Sequence, residues 1–306
     1  MWKLKVLIQF FLSKLPKGEE INYQLQRIKD SHNENYIKER IVILVNSLRD
    51  INKHLPLDGA TAVEIGTGWV PICSVLLYLM GVKTCHTYDH VAHVRHDLAE
   101  MLVRCIDDKL DNISQMTSIP ASLLAVRIAK LKNSSDIIDF FSKANIVYHA
   151  PGDASRTSLE DSSVDLVYSH AVLEHVSPKV IYALTHESKR ILKRSGMAYH
   201  LIGLHDHYSN FDKKVSKVNF LKYSEFWWSF FVKNRISYHN RLREKQHIHI
   251  FEECGAKVVW LENKTDANDI AVLRNMRIDK SFKGMSPEEL AIYETKLIIT
   301  FPKEEN

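Results

Sequence analysis

The sequence predicts a doubly wound α/β fold on a seven-stranded, mostly parallel sheet. Three observations carry this. A short apolar strand, Ala62–Ile65, runs into Gly66-Thr67-Gly68 and then a helix. A second strand follows that helix and ends in Asp89. Five more strand-like segments recur between helical patterns, the last at Lys296–Phe301. Strand, glycine turn, helix and strand in that order open a right-handed parallel βαβ unit.

Each element has a local reason. Residues 17–57 carry a mixed apolar and polar pattern with no Gly or Pro between Glu19 and His54, which reads as one or two helices. Pro71 suits the first turn of a helix over Ile72–Met80, and Gly81 suits its stop. Val82–Tyr88 is the second strand. From Val91 to Ala144 the pattern is helical, more than one crossover needs, so two or three inserted helices are expected around Leu102–Ile113 and Ala121–Phe141. Asn145–His149 and Val164–Ser169 are strands three and four. Ser177-Pro178 opens a helix with a side-chain cap and a first-turn proline. Ser195-Gly196 is expected to end it, with strand five over Met197–Leu204. Gly255 closes a helix before strand six, Ala256–Leu261. Ser286-Pro287-Glu288-Glu289 is a capping box ahead of the last strand. Residues 1–57 thus read as an N-terminal helical segment and 58–306 as the main domain. That domain has a helical insertion near 91–144 and a cap near 205–250.

Composition narrows the class. Apolar residues at 45% and charged residues at 25% suit a globular chain and exclude disorder or coiled coil as the dominant state. The longest apolar runs, Val6–Leu12 and Val70–Met80, fall short of the roughly 18 residues of a membrane span. A net charge of +4 is too mild to imply nucleic acid. Cys73, Cys85, Cys105 and Cys254 form no C-x-x-C, so they read as reduced thiols and point to a cytoplasmic protein. The first sixteen residues read as an amphipathic helix. Lys3, Lys5, Lys14 and Lys17 beside its apolar anchors make it a candidate for peripheral contact at the inner membrane face.

The glycine turn suits close approach of a ligand to backbone and helix N-terminus. Dinucleotides and S-adenosylmethionine are the two ligand classes that use it most. Pro71 stands where the dinucleotide fingerprint wants its third glycine, which argues against that class. Asp89 at a strand end suits both hydroxyls of a ribose. Glu64, Asp89 and the Gly152-Asp153-Ala154 turn all fall at C-terminal strand ends, where open α/β sheets bind ligands.

Val63-Glu-Ile-Gly-Thr-Gly68, Tyr88-Asp89, Gly152-Asp153-Ala154, Asp165-Leu-Val-Tyr-Ser-His-Ala-Val-Leu-Glu-His-Val176 and Arg190-Ile-Leu-Lys-Arg-Ser-Gly196 resemble the class I S-adenosylmethionine-dependent methyltransferases. The resemblance is greatest to their small-molecule branch, which includes quinone-biosynthesis enzymes. It spans about Thr61 to Leu204. Asn219–Ser224 and Tyr238–Arg243 resemble methyltransferases associated with surface polysaccharides. This sequence departs from the family at Val70, where another glycine is common. The resemblance implies a Rossmann-like sheet whose last strand is antiparallel, and S-adenosylmethionine as cofactor. It implies that Glu64, Gly66, Thr67 and Gly68 line the methionine part, and that Asp89 holds the ribose. Asp153 and Ala154 would meet the adenine, with Tyr168, Ser169 and His170 near the methyl group. A small-molecule or glycan hydroxyl is the expected acceptor, and a non-catalytic scaffold of the same fold is the alternative. An NAD-type oxidoreductase is disfavoured by Pro71.

A hydroxyl acceptor calls for a general base, and histidine has the right unperturbed pKa. Among 16 histidines position decides. His205-Asp206-His207 follows strand five, with Asp206 placed to orient an imidazole. His170 follows strand four. No metal site is expected, because adjacent residues of an extended loop point to different sides. Trp227, Trp228, Phe230, Phe231 and Tyr238 lie among Lys222, Lys233, Arg235, Arg241 and Arg243. This segment is a candidate acceptor wall, with Trp228, Asn240 and Arg241 as its binding residues. RNA is disfavoured as acceptor, since Ser169-His170-Ala171-Val172 replaces the Asn/Asp-Pro-Pro-aromatic sequence the resemblance would lead one to expect.

Overall fold

The computed structural model describes residues 2–28, 32–232, 234, 236 and 238–302. The side chains of Lys3 and Phe231, and the residues Lys233 and Arg235, lie outside the described residues. The elements run α1 (Trp2–Leu12), α2 (Gly18–Ile28), α3 (Glu34–Asn52), β1 (Thr61–Ile65), α4 (Ile72–Leu79) and β2 (Thr84–Tyr88). Then come α5 (His96–Asp107), α6 (Leu110–Thr117), α7 (Ala121–Lys132), α8 (Ile137–Lys143), β3 (Ile146–His149) and β4 (Val164–His170). The chain finishes α9 (Pro178–Ile191), β5 (Leu192–Gly203), α10 (Glu225–Val232), α11 (Glu244–Glu253), β6 (Lys257–Thr265), α12 (Ala267–Asn275), α13 (Pro287–Leu290) and β7 (Ile292–Thr300). The strands form one seven-stranded Rossmann-like sheet in the order β3-β2-β1-β4-β5-β7-β6. β1 pairs in parallel with β2 and β4, and β2 with β3, whereas β6 and β7 are antiparallel.

The chain divides into two compact units that do not follow residue 57. One comprises Met1–Lys29, His170–Thr185 and His200–Pro302; the other comprises Asp30–Ser169 and His186–Tyr199. In the second unit α3 starts at Asn33, whose side chain accepts from the Tyr36 N–H at 2.9 Å. Its buried Ile37, Ile41, Leu44, Leu48 and Ile51 fall on one helical face. α4 is buried all round, as its sequence, apolar but for Ser74, demands. The insertion holds four helices rather than two or three. The Asp136 carboxylate accepts the Ile138 and Asp139 N–H groups and so starts α8 as a separate helix. Ser118, at φ 61°, and Pro120 separate α6 from α7. β5 begins at Leu192, five residues earlier than expected, so Ser195-Gly196 lies inside a strand instead of ending a helix. A Cβ on Gly196 would stand 3.0 Å from the carbonyls of Val164 and Asp165, which explains the glycine as a close approach to β4. Glu187 accepts from the Thr157 amide at 2.8 Å and hydroxyl at 2.5 Å and pairs with Arg190, tying α9 to the loop before β4.

In the first unit β6 and β7 pair from Lys257 opposite Thr300 to Thr265 opposite Ile292. The core gathers Val6, Tyr208, Phe220, Leu221, Trp228, Leu273, Phe282 and Leu290. Ser286 and Glu289 form the expected capping box. α12 was not anticipated; its signal is Asp266, which accepts the Asn268 N–H at 3.0 Å. α1 buries Val6 and Gln9 and leaves Leu4, Leu7, Ile8 and Phe11 exposed. Among the described residues no helix is long and apolar enough to cross a membrane. All four cysteines are free and buried.

Candidate functional site

The glycine turn begins where β1 ends. The Gly66 N–H donates to the Tyr88 carbonyl at 2.8 Å, which ties the turn to the end of β2. Gly66 (φ 83°) and Gly68 (φ 70°) both lie in the left-handed region, where a side chain would be strained. A Cβ on Gly68 would meet nothing within 4 Å, so the space beside this turn is open to a ligand. Asp89 closes the turn from the next strand. Its Oδ2 accepts the Gly68 N–H at 2.9 Å, and Oδ1 lies 3.3 Å from the Val91 nitrogen and 3.2 Å from His90 Nδ1. Burial pushes this carboxyl up, but the hydrogen bonds from His90, Gly68 and Val91 outweigh it and hold it below its usual value. An ionised carboxylate has about four acceptor sites, so Oδ2, with one donor, retains a site for a hydroxyl, while Oδ1 already faces two donors, one of them the exposed His90 ring.

Glu64 braces the same turn from beneath. It is buried, and the Thr87 hydroxyl donates to its Oε2 at 2.8 Å. The Thr67 and Thr87 hydroxyl oxygens are 2.5 Å apart, so a chain of hydrogen bonds runs from the turn to the carboxyl. Burial raises Glu64 to about 7 against hydrogen bonds from Thr87, Ser74 and Cys73. Because the folded value lies above the unfolded one, the native state binds the extra proton. Stability is then full below about pH 4.5 and falls as pH rises through about 7. Glu64→Gln removes this titration. Relative to wild type, its unfolding free energy in urea should rise by about 3 kcal/mol between pH 4 and pH 8. A difference that does not change with pH would contradict the assignment.

Asp153 is exposed and accepts the amide and hydroxyl of Ser155 at 2.8 and 2.7 Å. Those bonds hold it below its usual value. Ala154 lies half-buried beside it, and Ser169 is fully buried in the last turn of β4. Tyr168 is not at a pocket mouth: it is fully buried and stacks on Tyr199 with centroids 5.5 Å apart. An aromatic group at the turn escaped sequence reasoning. Trp69 stacks on His93 at 3.8 Å, with His32 at 6.0 Å on the tilt. The available signal was His90-Val-Ala-His93 directly after Asp89.

The second constellation lies in the other unit. Four imidazoles gather: His207 has ring centroids 5.0 Å from His175, 4.8 Å from His205 and 4.3 Å from His239. Glu174 precedes His175 in a single helical turn, Leu173–His175, entered through Ala171 at φ 56°. Its Oε1 accepts the Gly203 N–H at 3.0 Å. One ligand atom from each of Glu174, His175 and His207 lies within 4.8 Å of the other two. His170 is half-buried at the end of β4.

Several expected roles change here. Asp206 does not orient an imidazole. It is fully buried and accepts from the Tyr208 N–H at 2.9 Å and the Asn219 amide at 2.8 Å, capping the turn that carries His207. Burial, then His175, His205 and Lys5, lowers His207 to about 2, and burial also lowers His205. Burial is the main cause, and an imidazole lowered in this way is a weaker proton acceptor, which counts against His207 as the base. His200, in β5, stacks on Phe251 at 5.3 Å and is held near 4 by burial, as a core histidine.

The acceptor wall is corrected in the same way. Trp228 is buried and its Nε1–H donates to the His239 carbonyl at 2.9 Å. Asn240 Nδ2 donates to the Leu173 and Val176 carbonyls at 2.7 and 2.8 Å, and so clamps the Glu174-His175 turn. Arg241 is buried, donates to the Phe220 and Tyr223 carbonyls and pairs with Glu225 at 2.8 Å. Arg243 is likewise committed to main-chain carbonyls. These side chains build the fold rather than face an acceptor.

A family model described as a methyltransferase domain matches residues 105–200, about a third of the chain, from the end of α5 into β5. No curated protein sequence matches. Among solved structures, the PH0226 protein of Pyrococcus horikoshii is 14% identical over 89% of this chain and 93% of its own, with a TM-score of 0.48. An S-adenosylmethionine-dependent methyltransferase of Methanosarcina mazei is 14% identical over 83% and 98%, with a TM-score of 0.44. Geranyl diphosphate C-methyltransferase of Streptomyces coelicolor, solved with Mg2+, geranyl diphosphate and S-adenosyl-L-homocysteine, is 12% identical over 87% and 82%, at 0.45.

Proposed function

We propose that this protein transfers a methyl group from S-adenosylmethionine to a hydroxyl of a small molecule or glycan intermediate. One observation carries the reading: a left-handed glycine turn after β1 is clasped at Gly68 by the ionised Asp89 at the end of β2. The methyltransferase-domain match to residues 105–200 supports it. The residues fit the cofactor. Gly68 leaves open space for its methionine portion, and Asp89 Oδ2 retains acceptor capacity for a ribose hydroxyl. Asp153 and Ala154 would flank the adenine. When bound, the cofactor supplies an electrophilic methyl group. The protein's work is alignment, holding the acceptor oxygen at near-contact distance and in line. Glu64, Thr87 and Thr67 tie the turn to β1 and β2 by a chain of hydrogen bonds, which limits what the ligand must order. In chain order, His170 after β4 and His205 after β5 are the groups this reading assigns to the acceptor side.

Titration calorimetry tests it. S-adenosylhomocysteine should bind with micromolar affinity and NAD should not bind. No heat with S-adenosylhomocysteine at millimolar concentration, or preference for NAD, would overturn the reading.

A further inference from the structure

We propose that Glu174, His175 and His207 form a binding site for a divalent transition-metal ion. The geometry comes first. A carboxylate and two imidazoles present ligand atoms within 4.8 Å of one another. Tetrahedral ligands about 2.0–2.2 Å from zinc lie roughly 3.4 Å apart, so an inward movement of about an ångström completes three corners of a shell. The donor set is borderline soft. Two imidazoles with one carboxylate suit zinc, cobalt or iron, and not the all-oxygen shells of calcium or magnesium.

The supporting shell is the second observation. Metal-bound histidines usually donate their other ring N–H to a carbonyl, which fixes tautomer and orientation. His175 does so: its Nδ1 lies 2.9 Å from the Tyr238 carbonyl oxygen, which leaves the lone pair on Nε2. Glu174 is anchored through Oε1 by the Gly203 N–H, and its turn is held by Asn240 at three points. His207 sits on a turn capped by the buried Asp206. No hydrogen bond from the described residues reaches its ring. Beside it, His239 is 4% exposed and its Nε2 has no partner among the described residues. Buried polar groups are normally satisfied, and each exception asks for a cause. A cation held by Glu174, His175 and His207 gives the His207 ring a partner at the edge of this cluster.

The early expectation of no metal rested on His205, Asp206 and His207 diverging along an extended loop. Asp206 does turn away, to Tyr208 and Asn219, but the His205 and His207 rings stay together, 4.8 Å apart. The ligand set is instead drawn from two separate turns, 32 residues apart in sequence, which no local spacing reveals.

The test uses the metal-free full chain titrated with Co2+, and with Zn2+ in competition. One equivalent of Co2+ should bind per chain and give the visible absorption of a low-coordinate site, and Zn2+ should displace it. His175→Ala, His207→Ala and Glu174→Gln should each weaken binding at least tenfold. His249→Ala, at an exposed histidine of α11, should leave it unchanged. Glu174 also supports the fold, so His175→Ala, which removes an exposed ring, is the decisive variant if the others melt early. Absence of stoichiometric Co2+ binding, or binding unaltered in a folded His175→Ala protein, would overturn the site. The outcome is independent of whether S-adenosylhomocysteine binds.

Discussion

Asp89→Ala is expected to weaken S-adenosylhomocysteine binding by about 100-fold or more while the protein stays folded. The carboxylate does two jobs that alanine cannot do. It accepts the Gly68 N–H at 2.9 Å, which shapes the glycine turn. In the proposed cofactor site it would also accept from the ribose hydroxyls, one at Oδ2 and one at Oδ1 in place of the exposed His90 ring. A hydrogen bond to a charged group contributes about 1.5–3 kcal/mol, so losing two costs roughly 3–6 kcal/mol. Asp89→Asn keeps one carbonyl oxygen and should fall between wild type and alanine. Calorimetry on both variants, with melting curves to establish folding, measures the effect. A change of less than threefold in Asp89→Ala would remove Asp89 from the cofactor site.

Arg243→Ala should produce the largest loss of stability. Arg243 is 2% exposed. Its guanidinium donates to the Leu204 carbonyl at 2.5 Å, to Leu290 at 3.0 Å and to Ile292. One side chain therefore joins the end of β5 to the segment between α13 and β7. Burial lowers its pKa to about 10, so it remains charged near neutral pH. Truncation leaves three carbonyls without their donor, and an unsatisfied buried group costs about 1–3 kcal/mol. A loss of about 3–5 kcal/mol follows, or a fall in Tm on the order of 10 °C. Arg243→Lys should recover little, because an ammonium lacks the planar fork that spans three acceptors. Urea titration of both variants decides it, and a loss below about 1 kcal/mol would show that the three bonds do not matter.

The parts of this molecule that were readable in sequence are those set by local chemistry. A glycine turn after an apolar strand, Pro71 and Gly81 around α4, and the Ser286 capping box depend on residues a few positions apart, and each occurs where its pattern placed it. Strand count and the mixed sheet followed from the alternation of such signals. What failed depended on distant partners. Ser195-Gly196 looks like a helix stop until Val164 and Asp165 are beside it. Trp228, Asn240, Arg241 and Arg243 look like a ligand wall because basic and aromatic residues usually face solvent. Only the carbonyls that receive them show otherwise. The imidazole cluster was half visible. His205 and His207 were singled out by position after a strand, but their neighbours His175 and His239 come from elsewhere in the chain. Asp206, chosen to orient an imidazole, proved to be a turn cap because its side chain faces Asn219.

In the proposed function the glycine turn and Asp89 hold S-adenosylmethionine. A crystal structure with S-adenosylhomocysteine tests it most directly. The ribose hydroxyls should be hydrogen-bonded to the Asp89 carboxylate, with the amino-acid end lying along Gly66–Gly68. S-adenosylhomocysteine bound away from this turn, or a turn left bare at saturating ligand, would contradict it.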